Sequence, residues 1–152
     1  MSAQDKPALM QILHRTPEYK PHEVIVAEEV IDSYLSDPAG SGYSIIIAEV
    51  DSAVVGYICW GSTPCTDSTW DIYWEAVSQE KRGQGIGSAL TKTAEAAIEK
   101  AHGRLIIIET SSIPLYENTR RFHFSHGYEL IGRIPDFYAL GDDKLILQKR
   151  LR

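Results

Sequence analysis

Three glycines fall within five residues at Gly83-Gln84-Gly85-Ile86-Gly87, immediately after the basic pair Lys81-Arg82. A strand-like segment, Thr69–Val77, precedes them, and a run of good helix formers extends from about Gly85 to Ala101. Glycine loses the most conformational freedom on folding, so three close together need a reason beyond a tight turn. A strand, a glycine loop and a helix N-terminus together offer unpaired N–H groups and partial positive charge. We therefore expect this loop to hold a pyrophosphate.

Two other phosphate-binding motifs fit this loop less well. The P-loop pattern is absent, because no Gly-Lys-Ser/Thr follows at the required spacing. The dinucleotide fingerprint begins well at Gly83-Gln84-Gly85, and Glu109 stands where a ribose-binding acid could lie. However, its third glycine should fall at Ser88, and the chain places glycine one residue earlier. A dinucleotide-binding oxidoreductase therefore stays as a less favoured alternative.

Hydrophobic periodicity and turn residues predict the order α, α, β, β, β, α, β, α, β, β. The predicted helices are Asp5–Arg15, Pro21–Leu35, Gly85–Ala101 and Pro114–His126. The predicted strands are Tyr43–Val50, Ala53–Gly61, Thr69–Val77, Leu105–Ile108, Tyr128–Arg133 and Lys144–Arg150, the last two joined by a loop from Ile134 to Asp143. This order predicts an α/β fold (α+β by some schemes) with a mixed sheet, antiparallel first and then with one parallel crossover. We expect residues 1–152 to form a single domain.

The strand Thr69–Val77 is predicted to have one apolar and one polar face, because side chains alternate along a strand. Its apolar face would carry Trp70, Ile72, Trp74 and Ala76, and its polar face Asp71, Tyr73, Glu75 and Val77. The polar face would end beside the glycine loop.

Composition narrows the class of protein further. The formal net charge of −6 over 152 residues argues against a general nucleic-acid binder, whose affinity depends on basic side chains. Cys59 and Cys65 fit no zinc spacing, so we expect no metal and interpret both as free thiols in a reducing compartment. The sequence shows no signal peptide and no apolar run near ~20 residues. These observations predict a cytoplasmic protein that contacts no membrane.

The glycine segment resembles a family signature. Arg82-x-x-Gly85-x-Gly87 is similar to the Gln/Arg-x-x-Gly-x-Gly/Ala motif of the GNAT (GCN5-related) N-acetyltransferase superfamily. Trp74-Glu75-Ala76-Val77 resembles the strand that precedes that motif, and the segment Arg121–Tyr128 resembles the family's Phe-Tyr-x-x-x-Gly-Phe segment. The resemblance covers about Tyr43 to Leu151 and is weak over the first two predicted helices. It implies a mostly antiparallel sheet with a splayed cofactor-binding gap between the central strands.

The resemblance also implies the activity: an N-acetyltransferase that moves an acetyl group from acetyl-CoA directly to a primary amine. The acceptor would be a small metabolite or a peptide or protein amine, and a homodimer is possible. The gap would lie between Thr69–Val77 and Leu105–Thr110. The backbone N–H of Val77 would stabilise the oxyanion that forms at the thioester carbonyl. The expected cofactor-binding residues are Val77, Arg82, Gly83, Gln84, Gly85, Ile86, Gly87 and Ser88.

Candidate acids and bases follow from the same comparison. Asp71 or Glu75 would take the proton of the attacking amine. The family supplies the departing thiolate with a proton from a tyrosine, and His123 stands at that position. Either His123 is the acid, or Tyr116 or Tyr138 replaces it, with Tyr116 slightly preferred because it lies on the same predicted helix. The missing tyrosine leaves an acetyl-CoA-binding sensor without turnover as a second alternative.

Overall fold

The computed structural model describes residues 1–151. Its helices are α1 (Lys6–Arg15), α2 (Pro21–Ser36), α3 (Ile86–Lys100) and α4 (Glu117–Ser125). Its strands are β1 (Tyr43–Val50), β2 (Ala53–Ser62), β3 (Thr69–Val77), β4 (Leu105–Ser111), β5 (Glu129–Ala139) and β6 (Asp142–Arg150). Short 3-10 turns occupy Ala3–Asp5, Gln79–Lys81 and Pro114–Tyr116. The predicted order of helices and strands is confirmed.

The strands form one six-stranded sheet in the order β1-β2-β3-β4-β6-β5. Only the pair β3–β4 is parallel, and α3 makes the crossover between these two strands. The other neighbours pair antiparallel. The predicted mixed and mostly antiparallel sheet is therefore confirmed.

Helices cover both faces of the sheet and form two apolar cores. On one face α1 buries Leu9, Ile12 and Leu13, whose spacing of three and four residues places them on one side of a helix. On the other face α3 buries Leu90, Ala94 and Ile98 at four-residue spacing. Each buried leucine or isoleucine contributes about 1.5–3 kcal/mol through removal of apolar surface from water.

The middle of β3 contains a β-bulge at Tyr73. Cys59 pairs with Trp74, but the next residue of β2, Trp60, pairs with Ile72, so Tyr73 has no partner in the ladder. A bulge of this kind puts one extra residue on one strand and reverses the sides to which the following side chains point.

The bulge makes the predicted strict alternation of β3 wrong. Trp70 and Ile72 pack in the core beneath α3, whereas Trp74 and Ala76 pack against α1 and α2. These four residues therefore do not share one face. The side chain of Val77 has also moved to the α3 face.

The last hairpin is longer than the sequence predicts. Instead of a loop from Ile134 to Asp143, β5 continues to Ala139 and only two residues separate it from β6. The register shifts between Ile134 and Ala139, where Pro135 cannot donate a ladder hydrogen bond and Asp136 has a φ of 52°. Because β5 lies at the sheet edge and pairs only with β6, this interruption does not disturb the hydrogen bonds between the interior strands.

Smaller differences occur at helix ends and before the sheet. The predicted helix Pro114–His126 begins as a 3-10 turn, and α4 ends at Ser125. In the described residues before Tyr43 there are helices and turns and no strand. No helix in residues 1–151 is both long enough and apolar enough to cross a membrane.

Candidate active site

The sheet is split between its two central strands. β3 and β4 pair only from Thr69↔Leu105 to Asp71↔Ile107, and beyond the bulge they separate. The N–H of Ser78 donates to the carbonyl of Val55 on β2 at 2.8 Å. Successive residues of a strand turn their N–H groups to opposite sides, so the N–H of Val77 is directed away from β2 and toward the split.

The glycine loop has the backbone geometry of an anion cradle. Gly83 and Gly85 adopt positive φ angles of 72° and 81°, a region that favours glycine. Gly85 is the N-cap residue of α3, and no side chain caps the first turn, which contains Ile86, Gly87 and Ser88. A Cβ atom added at Gly83 or Gly85 would meet nothing within 4 Å, so the loop backbone is open to an approaching ligand.

His126 holds the hydroxyl of Ser88 at the start of α3. Nδ1 of His126 lies 2.8 Å from the carbonyl of Phe122 and therefore carries the proton, since a carbonyl only accepts. In the neutral imidazole Nε2 is then the acceptor, and the Ser88 hydroxyl, 2.8 Å away, donates to it. Within residues 1–151 no three His, Cys, Asp or Glu residues cluster as metal ligands.

Arg82 is committed to other protein groups. Its guanidinium makes two hydrogen bonds to the carboxylate of Glu18, at 3.0 and 3.2 Å. Its Nε donates to the carbonyl of Val77 at 3.3 Å. Arg82 therefore ties the glycine loop both to the end of β3 and to the connector between α1 and α2.

That connector, residues 16–20, was not identified from the sequence as part of the site. The hydroxyl of Tyr19 donates to the carbonyl of Glu75 on β3 at 2.8 Å. The hydroxyl of Tyr116, on the far side of the split, donates to the carbonyl of Glu18 at 2.8 Å. The connector thus joins the two sides of the split through contacts between residues far apart in sequence, which no local pattern reveals.

A cavity of about 600 Å³ opens where the split meets this connector. Its wall includes all five residues that the sequence suggests for acid–base chemistry: Asp71, Glu75, Tyr116, His123 and Tyr138. Its wall also includes Glu109, which the sequence suggested only as a ribose-binding acid, and four polar residues that the sequence did not suggest: Glu23, Thr63, Thr110 and Asp142. The structure brings the proposed catalytic residues together, with the glycine loop beyond the end of β3.

Asp71 and Glu75 reach the cavity from opposite faces of β3. Asp71, between two residues of the α3-side core, points to the other face and accepts a short hydrogen bond from Thr63. Glu75 follows the bulge and points toward α3, where the Thr91 hydroxyl lies 3.0 and 3.1 Å from its two oxygens. The two carboxyl groups are therefore not equivalent.

Burial gives the carboxyl group of Glu75 an unusually high pKa. Loss of solvent raises the pKa of Glu75 to about 8, the hydrogen bond from Thr91 opposes this rise, and the negative charge of Glu95 adds to it. At neutral pH the Glu75 side chain is therefore mainly protonated. A carboxyl group with a pKa near the working pH is well matched to proton transfer.

This pKa predicts that Glu75→Gln stabilises the fold at alkaline pH. The folded-state pKa lies above the ordinary value of 4.5, so stability is full below about pH 4.5 and falls until about pH 8. Glutamine keeps the shape and cannot ionise, so its advantage should reach a few kcal/mol above pH 8. Urea unfolding of both proteins at pH 5 and pH 8.5 measures this, and an equal difference at the two pH values would contradict it.

His123 is buried and neutral. Burial, with a smaller effect from His126, lowers the pKa of His123 to about 4. Its Nδ1 is buried without a hydrogen-bond partner, and Phe122 and Tyr128 pack edge-on against its ring. The imidazolium form is therefore nearly absent at pH 7.

The two candidate tyrosines stay protonated over the neutral range. Burial raises the pKa of Tyr138 to about 12 and raises that of Tyr116 further, with nearby carboxylates adding to both shifts. Tyr116 belongs to the 3-10 turn before α4, and its hydroxyl is held by Glu18. Tyr138 lies on β5 and is 41% exposed.

Comparison with known proteins agrees with this architecture. Residues 41–130 match the family described as the acetyltransferase (GNAT) domain. An uncharacterized N-acetyltransferase of Methanocaldococcus jannaschii is 34% identical over 109 residues, which is 68% of this chain and 64% of that protein. This chain therefore spans about 64% of the length of that relative.

Solved structures share the fold over nearly the whole chain. A crystal structure from Desulfovibrio desulfuricans, assigned to the GNAT acetyltransferases, is 35% identical with a TM-score of 0.95, covering 99% of this chain and 94% of that one. An aminoglycoside 6'-N-acetyltransferase complexed with coenzyme A gives a TM-score of 0.75 at 20% identity, covering 97% and 91%. The Escherichia coli ribosomal-protein-S18-alanine N-acetyltransferase gives 0.78 at 16% identity, covering 99% and 90%.

The similarity to the last two structures, at 20% and 16% identity, shows a shared fold only. The matched domain covers more than half of this chain, and the two relatives above 30% identity cover 68% and 99% of it, so these comparisons show the family. The chain belongs to the GNAT family of acetyltransferases, whose members use acetyl-CoA as the acetyl donor.

Proposed function

We propose that this protein is an N-acetyltransferase that moves the acetyl group of acetyl-CoA directly to a primary amine. The observation that carries the proposal is the separation of β3 from β4 after Asp71↔Ile107. The resulting gap extends toward the glycine loop, and the cavity with its acid–base residues opens into it.

The residues beside the gap fit acetyl-CoA. The open backbone of residues 83–88 and the uncapped N-terminus of α3 would bind its pyrophosphate. The N–H of Val77 would stabilise negative charge that develops at the thioester carbonyl. Arg82 contributes by fixing the loop through Glu18 and Val77 rather than as a free phosphate ligand. Bound acetyl-CoA supplies an activated acetyl group whose transfer to nitrogen needs only a neutral amine and a protonated leaving group.

The two cysteines support direct transfer rather than an acetyl-enzyme. Cys59 is fully buried, and burial raises the pKa of its thiol to about 12, so it holds almost no thiolate at neutral pH. Cys65 is exposed and is not among the residues that line the cavity. Neither thiol is therefore placed to carry the acetyl group.

We assign the proton transfers to side chains in the cavity wall. Glu75, in its ionised form, takes the proton of the attacking amine, because its pKa is closer to that of an amine than an ordinary carboxylate's is. Asp71, on the other face of β3, orients the amine. Tyr116 gives a proton to the departing thiolate.

One observation favours an acetyl-CoA sensor as the second candidate. His123 occupies the position of the family's tyrosine and is neutral and buried, so the usual proton donor is missing. A sensor would bind acetyl-CoA and give no turnover.

A thiol-release assay with about a hundred amines separates the two candidates. A transferase releases CoA only when an acceptor amine is present and forms the N-acetyl product in equal amount, without an initial burst in the absence of amine. Tight acetyl-CoA binding with no release above the background rate of hydrolysis, for every amine tested, would support the sensor instead.

A charge introduced at Gly85 should abolish cofactor binding. Aspartate and asparagine tolerate positive φ better than most residues, so Gly85→Asp and Gly85→Asn should each cost about 1 kcal/mol of stability. Acetyl-CoA at 100 times its Kd should stabilise the parent by about 2.7 kcal/mol. We expect Gly85→Asp to lose the thermal shift and Gly85→Asn, its uncharged control, to keep part of it. An unchanged shift in Gly85→Asp would show that the pyrophosphate lies elsewhere.

A further inference from the structure

The carboxylates in the cavity wall outnumber the lysines that pair with them. Four carboxylates besides Glu75 line it: Glu23, Asp71, Glu109 and Asp142. Lys144 lies 2.6 Å from Glu109, and Lys20 lies 3.7 Å from Asp142. Within residues 1–151, no lysine or arginine forms an ion pair with Glu23 or Asp71. Arg120, on α4, is held by the carbonyls of Ser111 and Ile113.

Neutral hydrogen-bond donors hold the carboxylates of Glu23 and Asp71 in place, and Asp71 also interacts with the Tyr73 hydroxyl. Oε2 of Glu23 accepts the backbone N–H of Lys20 at 2.6 Å and so caps the start of α2. Oδ2 of Asp71 accepts the hydroxyl of Thr63. These bonds orient both carboxylates, and neither bond neutralises a charge.

Aromatic rings surround the same space. The cavity wall includes Tyr19, Tyr73, Trp74, Tyr116 and Tyr138. The face of an aromatic ring attracts a cation, and aromatic rings beside carboxylates are a favourable environment for an ammonium group. Both the carboxylates and the aromatic rings of the wall therefore favour binding of a cation.

Thr110 adds an unsatisfied acceptor to this wall. Thr110 is on β4, is 5% exposed, and its Oγ1 has no hydrogen-bond partner. A buried hydroxyl without a partner is costly, and a ligand N–H donor would remove that cost.

The two unneutralised carboxylates stand at different points of the cavity. Asp71 lies at the last β3–β4 pair, where the split opens. Glu23 lies in the first turn of α2, and its charge contributes to raising the pKa values of both Tyr116 and Tyr138. Glu23 is thus close to Tyr116 and Tyr138, and Asp71 lies where β3 and β4 begin to separate.

We infer that the acceptor is an aliphatic diamine or polyamine, with Asp71 receiving the reacting amine and Glu23 binding a second ammonium group. This inference rests on the proposed acetyl transfer. The reaction joins the acetyl carbon to the amine nitrogen, breaks the carbon–sulfur bond and releases one proton overall. The product amide is neutral and has lost one of the two charges that the cavity binds. Because the carboxylates attract both ammonium groups of the substrate and only one of the product, the product is bound less tightly than the substrate.

A matched pair of acceptors tests this directly. 1,5-Diaminopentane and pentylamine share a five-carbon chain and differ by the second ammonium group. We expect kcat/KM to be about 10- to 100-fold higher for the diamine, an advantage that shrinks as salt is added. Equal values for the two amines, at low and high salt, would overturn the inference while leaving the proposed transferase intact.

Charge-removing variants locate the second site. Glu23→Gln keeps an oxygen for the Lys20 N–H, so the fold is retained and melting can verify it. Glu23→Gln should lower kcat/KM for the diamine much more than kcat/KM for pentylamine, and so remove most of the diamine's advantage. Glu28→Gln, which removes a half-buried α2 carboxylate paired with Lys6, is the matched control and should change neither rate. An equal loss with both amines in Glu23→Gln would assign Glu23 a structural role and contradict the inference.

Binding gives a readout that needs no turnover. With CoA present, calorimetry should show that 1,5-diaminopentane binds the parent at least tenfold more tightly than pentylamine and loses that preference in Glu23→Gln. No preference in the parent would refute the dication site. A preference without any acetyl transfer would retain the cation site and reject the proposed transferase, so the two failures are distinct.

Discussion

Replacing Glu75 with glutamine is expected to lower kcat by about 10²–10⁴, the usual contribution of a general base. Glutamine keeps the shape of the side chain and an oxygen for the Thr91 hydroxyl, so the fold remains intact. With a saturating amine, kcat of the parent should rise as pH rises through about 8, where Glu75 loses its proton. The variant should lack this rise. The measurement is a pair of kcat–pH profiles between about pH 6 and pH 10.

Two further variants test whether Glu75 is responsible. Thr91→Val removes the hydrogen bond that lowers the Glu75 pKa and leaves the carboxyl group in place, so the midpoint of the profile should move to higher pH. Asp71→Asn should raise KM for the amine more than it lowers kcat. If Asp71→Asn instead removes turnover and Glu75→Gln keeps it, the roles of the two carboxylates are reversed.

The assignment of Glu75 links stability to function. A partly buried carboxyl group that must ionise lowers the stability of the folded protein as pH rises, and its replacement should stabilise the fold and remove turnover together. Active sites often keep such costly groups because the chemistry needs them. A substitution that raises the stability of the fold and lowers the rate is therefore a signature of a catalytic carboxylate. Replacement of a structural carboxylate would instead lower the stability of the fold.

The sequence was sufficient for the order of the helices and strands and for the type of sheet. Hydrophobic periodicity gave the order of the elements, and the spacing of Arg82, Gly85 and Gly87 indicated the loop that starts α3. These features are local: helix periodicity, turn residues and a glycine motif each lie within one short segment. All five candidate acid–base residues line one cavity, although their roles stay predictions.

The sequence was insufficient where one residue changes the pattern or where distant segments meet. A single extra residue at Tyr73 reverses the faces of β3, and alternating hydrophobicity cannot show it because both faces carry aromatic residues there. The contact of Glu18 with Arg82 joins residues 64 positions apart. Such contacts depend on the packing of α1 and α2 against the sheet, and no local signal contains them.

Replacing Tyr116 with phenylalanine is expected to lower kcat by about 10²-fold or more and to leave acetyl-CoA affinity unchanged. The Tyr116 hydroxyl is held 2.8 Å from the Glu18 carbonyl beside the split. A thiolate is a charged acceptor and therefore competes well with that carbonyl for the phenolic proton. Because burial raises the pKa of Tyr116 above 10, the proton is present throughout the assay range. The measurement is single-turnover kinetics beside a calorimetric Kd for acetyl-CoA.

The competing donors make different predictions. If His123 acted as the acid through its imidazolium, its pKa of about 4 would cause activity to fall as pH rises through 4, and full activity at pH 7.5 would exclude the imidazolium as the proton donor. Accordingly, His123→Gln should retain turnover within about threefold. Tyr138→Phe, a matched substitution on β5, should have a smaller effect than Tyr116→Phe, because the Tyr138 side chain is 41% exposed and can be replaced by water. Full activity in Tyr116→Phe with loss in Tyr138→Phe would move the proton donor from the α4 side of the split to the β5–β6 hairpin.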